Sequence, residues 1–192
     1  MKHIILSLIF SLSSHLLAQP DTLWSLASGG RSDQNFQCVL PLPDRGFILA
    51  GGGVFGDNQI EFHSVQIDEY GNEIWSNNYL HDDSEVCKDI EILDNGDFLL
   101  VGGLTSNQGD RDEGFVIRID SEGEEIWSQH YGGGSSDLFR SSIRLSSNTF
   151  CIAGYTYSFG ENSSDMWLVK IDDAGEVLWQ RTYDNRSSEG AE

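Results

Sequence analysis

The sequence predicts an all-β chain, a β-propeller-type repeat of four-stranded antiparallel blades with about three blades present as an open arc. Three observations carry this. Trp24, Trp75, Trp127 and Trp179 stand 51, 52 and 52 residues apart, a period that belongs to blades or solenoid coils. The last three tryptophans each carry an Asp seven positions before, a Gly four before and a Tyr four after. Each repeat also holds short apolar runs bounded by turn residues, too brief for helices.

Within a unit the strands can be justified in order. Val39 to Leu42, Ile90 to Leu93 and Ile143 to Leu145 supply a first strand. The turns Pro43-Asp44-Arg45-Gly46, Asp94-Asn95-Gly96-Asp97 and Ser146-Ser147-Asn148-Thr149 follow it. Asn-Gly between apolar residues is a strong hairpin signal, because both residues tolerate positive φ. The second strand is Phe47 to Gly52, Phe98 to Gly103 and Phe150 to Tyr155, apolar enough to be buried on both faces. A polar loop of about ten residues leads to the third strand, His63 to Ile67, Phe115 to Ile119 and Trp167 to Ile171, whose alternate positions are mainly apolar. His63 fills the slot of Phe115 and Trp167, so it is expected to be packed and hydrogen-bonded. The turns Asp68-Glu69-Tyr70-Gly71, Asp120-Ser121-Glu122-Gly123 and Asp172-Asp173-Ala174-Gly175 then enter the Trp strand. In each, Asp can bond the backbone two residues on and Gly can take the left-handed conformation without steric cost. Trp75, Trp127 and Trp179 are read as apolar plates between neighbouring sheets, each with its N–H near a polar partner.

These elements place blades at about 34–79, 85–131 and 137–183 within a repeat region of 19–192. Residues 21–27, with Trp24, match a final strand without its preceding three. Such an orphan outer strand completes the last blade of a ring from the other terminus. The chain is therefore expected to be an N-terminal part of a longer protein with its last blade missing.

Residues 1–18 have the charged start, apolar middle and small-residue end of a secretory signal peptide. The apolar run falls short of the roughly 20 residues that span a bilayer and is broken by Ser11, Ser13, Ser14 and His15. The expectation is a secreted protein, at the cell surface, in the medium or in the periplasm, with no membrane attachment after cleavage near Gln19. With 31 acidic against 11 basic residues the net charge is −20, which repels nucleic acid and anionic membranes. Cys38, Cys87 and Cys151 share no repeat position and make no disulfide framework, although a Cys38–Cys87 bridge between adjacent blades stays open.

No catalytic set stands out. The chain has no Gly-x-Ser-x-Gly elbow, and Gly132-Gly133-Gly134 precedes a strand rather than a helix N-terminus. His81 and His130 lack the ligand spacing of zinc motifs. The Asp-x-x-Gly turns do not fit the calcium-loop spacing. The cation candidates are the acidic loops that contain Asp110, Asp112 and Glu113, and Glu161 and Asp165, where weak calcium binding is the expected chemistry.

The apolar run closed by Gly51-Gly52 or Gly102-Gly103, followed by Asp and then Trp, resembles the kelch repeat. Val65-x-Ile67-Asp68-x-x-Gly71-x-x-x-Trp75 and its copies resemble the quinoprotein-type repeat. Phe150 to Gly175, with Trp127 to Gly133, is most similar to the blades of exported bacterial repeat proteins that often carry a C-terminal sorting domain for type IX secretion. The resemblance spans nearly all of residues 21–184. The regular repeat surface, with few departures from it, points to a non-enzymatic secreted module presenting loops to a protein or glycan. The alternative it leaves open is part of a propeller enzyme, either a quinoprotein oxidoreductase or a carbohydrate-active enzyme.

Overall fold

The computed structural model describes residues 33–43, 46–55, 59–79, 81, 84–105, 111–160 and 164–183. The signal segment and Trp24 lie outside them. Twelve strands form three four-stranded antiparallel sheets, and no helix occurs among the described residues. The first blade holds β1 (Gln34–Pro41), β2 (Phe47–Phe55), β3 (Gln59–Ile67) and β4 (Glu73–Tyr79). The second holds β5 (Ser84–Ile92), β6 (Phe98–Thr105), β7 (Asp112–Ile119) and β8 (Glu125–Tyr131). The third holds β9 (Asp137–Ser146), β10 (Thr149–Thr156), β11 (Asp165–Asp172) and β12 (Val177–Tyr183). Strand order in every sheet follows the chain, so each unit is an up-and-down blade joined to the next by one linker. None of the sheets closes on itself.

The core lies between the blades. One cluster joins Ile48, Ala50, Phe62 and Tyr79 of the first blade to Leu100, Phe115, Ile117 and Ile119 of the second. The other joins Leu99, Val101, Val116 and Tyr131 of the second to Phe139, Phe150, Ile152, Trp167 and Ile171 of the third. Strand alternation sends Leu100 to one cluster and Leu99 and Val101 to the other, which is why β6 is apolar throughout. Aromatic pairs span both joints: Phe62 meets Phe115 edge-on at 5.5 Å, and Tyr131 meets Phe139 at 5.5 Å.

The glycine that ends each apolar run has a steric cause. A Cβ on Gly51, Gly102 or Gly154 would stand 2.0, 2.1 or 1.9 Å from the carbonyl oxygen of Asn35, Val86 or Leu138 on the adjoining first strand. The first strand bulges at this level in every blade, with register shifts at Phe36/Cys38, at Cys87/Asp89 and opposite Ala153/Gly154. The bulge pushes the backbone into the space a side chain would occupy.

His63 is buried. Its ring lies beside Phe36 and Phe55, and Nδ1 shares a 2.7 Å hydrogen bond with Asn78 Oδ1. All three cysteines are free thiols, so the Cys38–Cys87 pair is not bridged.

Candidate functional site

The repeated residues form a lock between blades. Asp120 Oδ1 accepts the backbone N–H groups of Glu122 and Glu124 at 3.0 and 2.8 Å, which shapes a turn closed by Gly123 at φ 84°. Onto this turn the preceding blade lowers Trp75, whose indole N–H donates to Ser121 O at 3.0 Å, and Tyr79, whose hydroxyl donates to Gly123 O at 2.7 Å. The arrangement recurs one blade on: Trp127 donates to Asp173 O at 3.2 Å and Tyr131 to Gly175 O at 2.7 Å. Arg118 adds a charged brace, with Nη2 2.7 Å from Asp97 Oδ2 and Nη1 2.7 Å from Asp173 O. The turn of the first blade has the same shape: Asp68 Oδ1 holds Tyr70 and Asn72, and Gly71 sits at φ 85°. Hydrogen bonding to Asn72 keeps the Asp68 carboxyl below the usual range. Asp172 builds the third turn through Ala174 and Glu176. Among the described residues no turn covers Trp179 and Tyr183, which are 39% and 44% exposed, whereas Tyr79 and Tyr131 are 6% and 5% exposed.

Antiparallel order brings the start of each first strand, the end of the second and the start of the third to one end of the blade. Acidic residues gather there. Glu85 pairs across Leu104 with Glu113, and Asp137 across Thr156 with Asp165. Glu61 opens the third strand of the first blade at the position of Glu113 and Asp165. These carboxylates have separate duties. Asp137 accepts from Thr156, from Gly133 N at 2.7 Å, from Ser158 Oγ at 2.6 Å and from the backbone of Tyr157 and Ser158. It thereby ties two loops together. Glu85 is buried with one oxygen lacking a partner, and burial pushes its carboxyl up to about 7, against the opposing pull of His81. His81 also reaches Glu125 at 3.2 Å. Burial likewise raises Glu61, offset by His63.

Of the cation candidates, Asp110 and Glu161 lie outside the described residues. Asp112 pairs with Thr105 in the ladder. Glu113 lies 3.4 Å from Arg111 and 3.2 Å from His130. Asp165 belongs to the next blade, with Oδ2 buried and unpartnered beside Gly160. His81 and His130 flank the same ring, Phe115, at 4.9 and 4.6 Å, but they face different carboxylates, His81 those of Glu85 and Glu125 and His130 that of Glu113. Among the described residues no three His, Cys, Asp or Glu side chains stand together as a metal site.

One polar recess is not legible in the sequence. Between the first strands of the first two blades lies a recess of about 350 Å³, lined by Asp33, Asn35, Gln37 and Lys88 together with the apolar Val54, Ile60 and Val86. Gly52 lets the second blade approach, since a Cβ there would meet Glu85 O and Val86 at 3.1 Å. Gln37 and Lys88 are the bulged residues of their strands, and Arg140 is the bulged residue of β9. Among the described residues, Asn35, Gln37 and Lys88 make no side-chain hydrogen bond or ion pair. A bulge becomes visible only once register is known, so repeat spacing could not have marked these three positions. Comparison of the chain with protein-family models gives no match, and comparison with curated proteins gives none either.

Proposed function

We propose that this chain is an exported, non-enzymatic interaction module that takes a glycan on the first-strand face at the loop-bearing end of its blades. The observation that supports this reading is a division of labour. The residues that repeat are engaged in holding blades together, whereas Asn35, Gln37 and Lys88, whose side chains make no hydrogen bond or ion pair among the described residues, line one recess beside bulged strands. Bulges re-aim side chains and recur beside binding sites. A recess of about 350 Å³ lined by apolar and amide side chains suits a sugar ring, which offers a C–H face and hydroxyl edges. The protein would leave the cell with residues 1–18 removed, and its kelch-like and quinoprotein-like blades would serve as scaffold. Type IX secretion is the route that the resemblance supports.

The test is a glycan array probed with the mature chain and with Asn35→Ala/Gln37→Ala. Glycan signals that vanish in the double variant, at unchanged melting temperature, support the reading. Signals that persist, or an array without signals beside a protein ligand bound elsewhere, refute it. Terminal sequencing of the exported protein should find its start near Gln19.

A further inference from the structure

The reading above leaves the sugar unspecified, and the charges beside the recess narrow it. The chain carries −20 overall with 11 Lys and Arg, and among the described residues Lys88, Arg140, Lys170 and Arg181 make no ion pair with a carboxylate; of these, Lys88 and Arg140 are the two at first-strand bulges. Most described arginines are partnered: Arg118 with Asp97, Arg144 with Asp94, and Arg111 with Glu113. Among the described residues Lys88 makes no ion pair, and it lines the recess. Arg140 makes none with a described residue either, and its guanidinium lies 5.4 Å over the Tyr155 ring. The bulge sets both side chains apart from the flanking pleat, at one repeat position on successive first strands. Those strands adjoin, since Asp89 of β5 accepts from Ser142 N of β9 at 2.6 Å and from Ser141 Oγ at 3.1 Å. That contact occupies the Asp89 carboxylate, the acidic group next in sequence to Lys88.

We propose that the ligand is a carboxylate-bearing saccharide, an oligouronate, bound along the bulges. Lys88 and Arg140 take the carboxylates of separate residues. Asn35, Gln37 and Asp33 take hydroxyls in the recess, and Val54, Ile60 and Val86 lie against a C–H face. Isolated anions such as phosphate lack the hydroxyl edge that the amides and Asp33 would match, and Asp33 opposes any ligand that presents charge alone. The proposal rests on the glycan reading and adds the charge of the ligand to it.

The experiment is titration calorimetry of the mature chain with a uronic-acid oligosaccharide, and with the same oligosaccharide after reduction of its carboxyl groups. The acidic form should bind at least about tenfold more tightly, and its affinity should fall as salt rises. Lys88→Met and Arg140→Met should each weaken it about tenfold and abolish the preference over the reduced form, with melting temperature unchanged. Lys170→Met, at a different repeat position, should change nothing. Equal affinity for the two forms, or acidic-form binding indifferent to Lys88 and Arg140, overturns the proposal. If the acidic form fails to bind while a neutral glycan binds and is lost with Asn35→Ala/Gln37→Ala, the carboxylate assignment falls and the glycan reading stands. If no glycan binds, both fall.

Discussion

Trp127 and Trp179 are the same residue at the same repeat position and differ in what lies on top of them. Trp127 is covered by the turn of the next blade and donates its N–H to Asp173 O, whereas Trp179 is 39% exposed. Trp127→Ala removes a half-buried indole and a hydrogen bond, so it should cost about 2–3 kcal/mol, below the usual figure for a fully buried ring. Trp179→Ala should cost under about 0.5 kcal/mol, as surface changes do. Chemical denaturation of the two variants checks the pair, and equal effects would dismiss the lock as an energetic feature. Glu85 makes a second residue-scale case. Its folded-state carboxyl sits near 7 because burial disfavours its charge, above the ordinary 4.5. The folded chain therefore holds a proton that the unfolded chain releases, and stability should fall as pH rises from about 4.5 to 7 and then level off. The carboxylate costs about 1–3 kcal/mol above that range. Glu85→Gln should flatten this slope and raise the melting temperature more at pH 8 than at pH 5. The first blade already carries an amide, Gln34, at the same position.

At the scale of the element, the Asp-x-x-Gly turn is where local conformation and blade packing meet. Gly96 and Gly123 have φ of 89° and 84°, so alanine strains either backbone by about 1–2 kcal/mol. Only Gly123 lies under another blade: its Cβ would stand 2.8 Å from the Trp75 ring and 2.6 Å from the Asn77 amide, while that of Gly96 meets nothing nearer than 3.9 Å. Gly123→Ala should therefore destabilise at least twice as much as Gly96→Ala, measured by thermal melts of both. Equal losses would leave backbone strain as the whole explanation. The strands were legible in the sequence because apolar runs and turn residues repeat with the tryptophans, and such patterns are local. The partner of Trp75 was not, since Ser121 lies 46 residues on and nothing local in the sequence points to it. The bulges at Gln37, Lys88 and Arg140 were hidden for a related reason: an extra residue on one strand leaves spacing within a repeat intact and shows only against its partner strand. The acidic loops attracted attention as metal candidates by composition. Among the described residues, Glu113 faces Arg111 and His130, and Asp165 belongs to a different blade.

Across the whole molecule, stability is the sum of blades and the interfaces between them, as in any linear array of repeats. The middle blade owns both interfaces. Its β6 sends Leu100 into one apolar cluster and Leu99 and Val101 into the other, and all but the last residue of the strand is buried. The third blade has one cluster on its inner side, while every residue of β12 is exposed, including Val177, Leu178, Trp179 and Tyr183. Opening β12 alone breaks one ladder and uncovers little apolar surface. Opening β6 breaks two ladders and both clusters. Hydrogen exchange on the mature chain should therefore find the amides of β6 and β7 exchanging only through global unfolding, and those of β12 exchanging fastest among the strands, with β4 and β8 between. The Trp127→Ala variant should sharpen the contrast, because it loosens the joint between the second and third blades and leaves the first joint, held by Trp75, Tyr79 and Phe62, intact. In that variant the whole third blade should lose protection together while β1 to β3 keep theirs. Uniform loss across all twelve strands would mean that the arc unfolds as one cooperative body, with the interfaces too strong for single blades to detach.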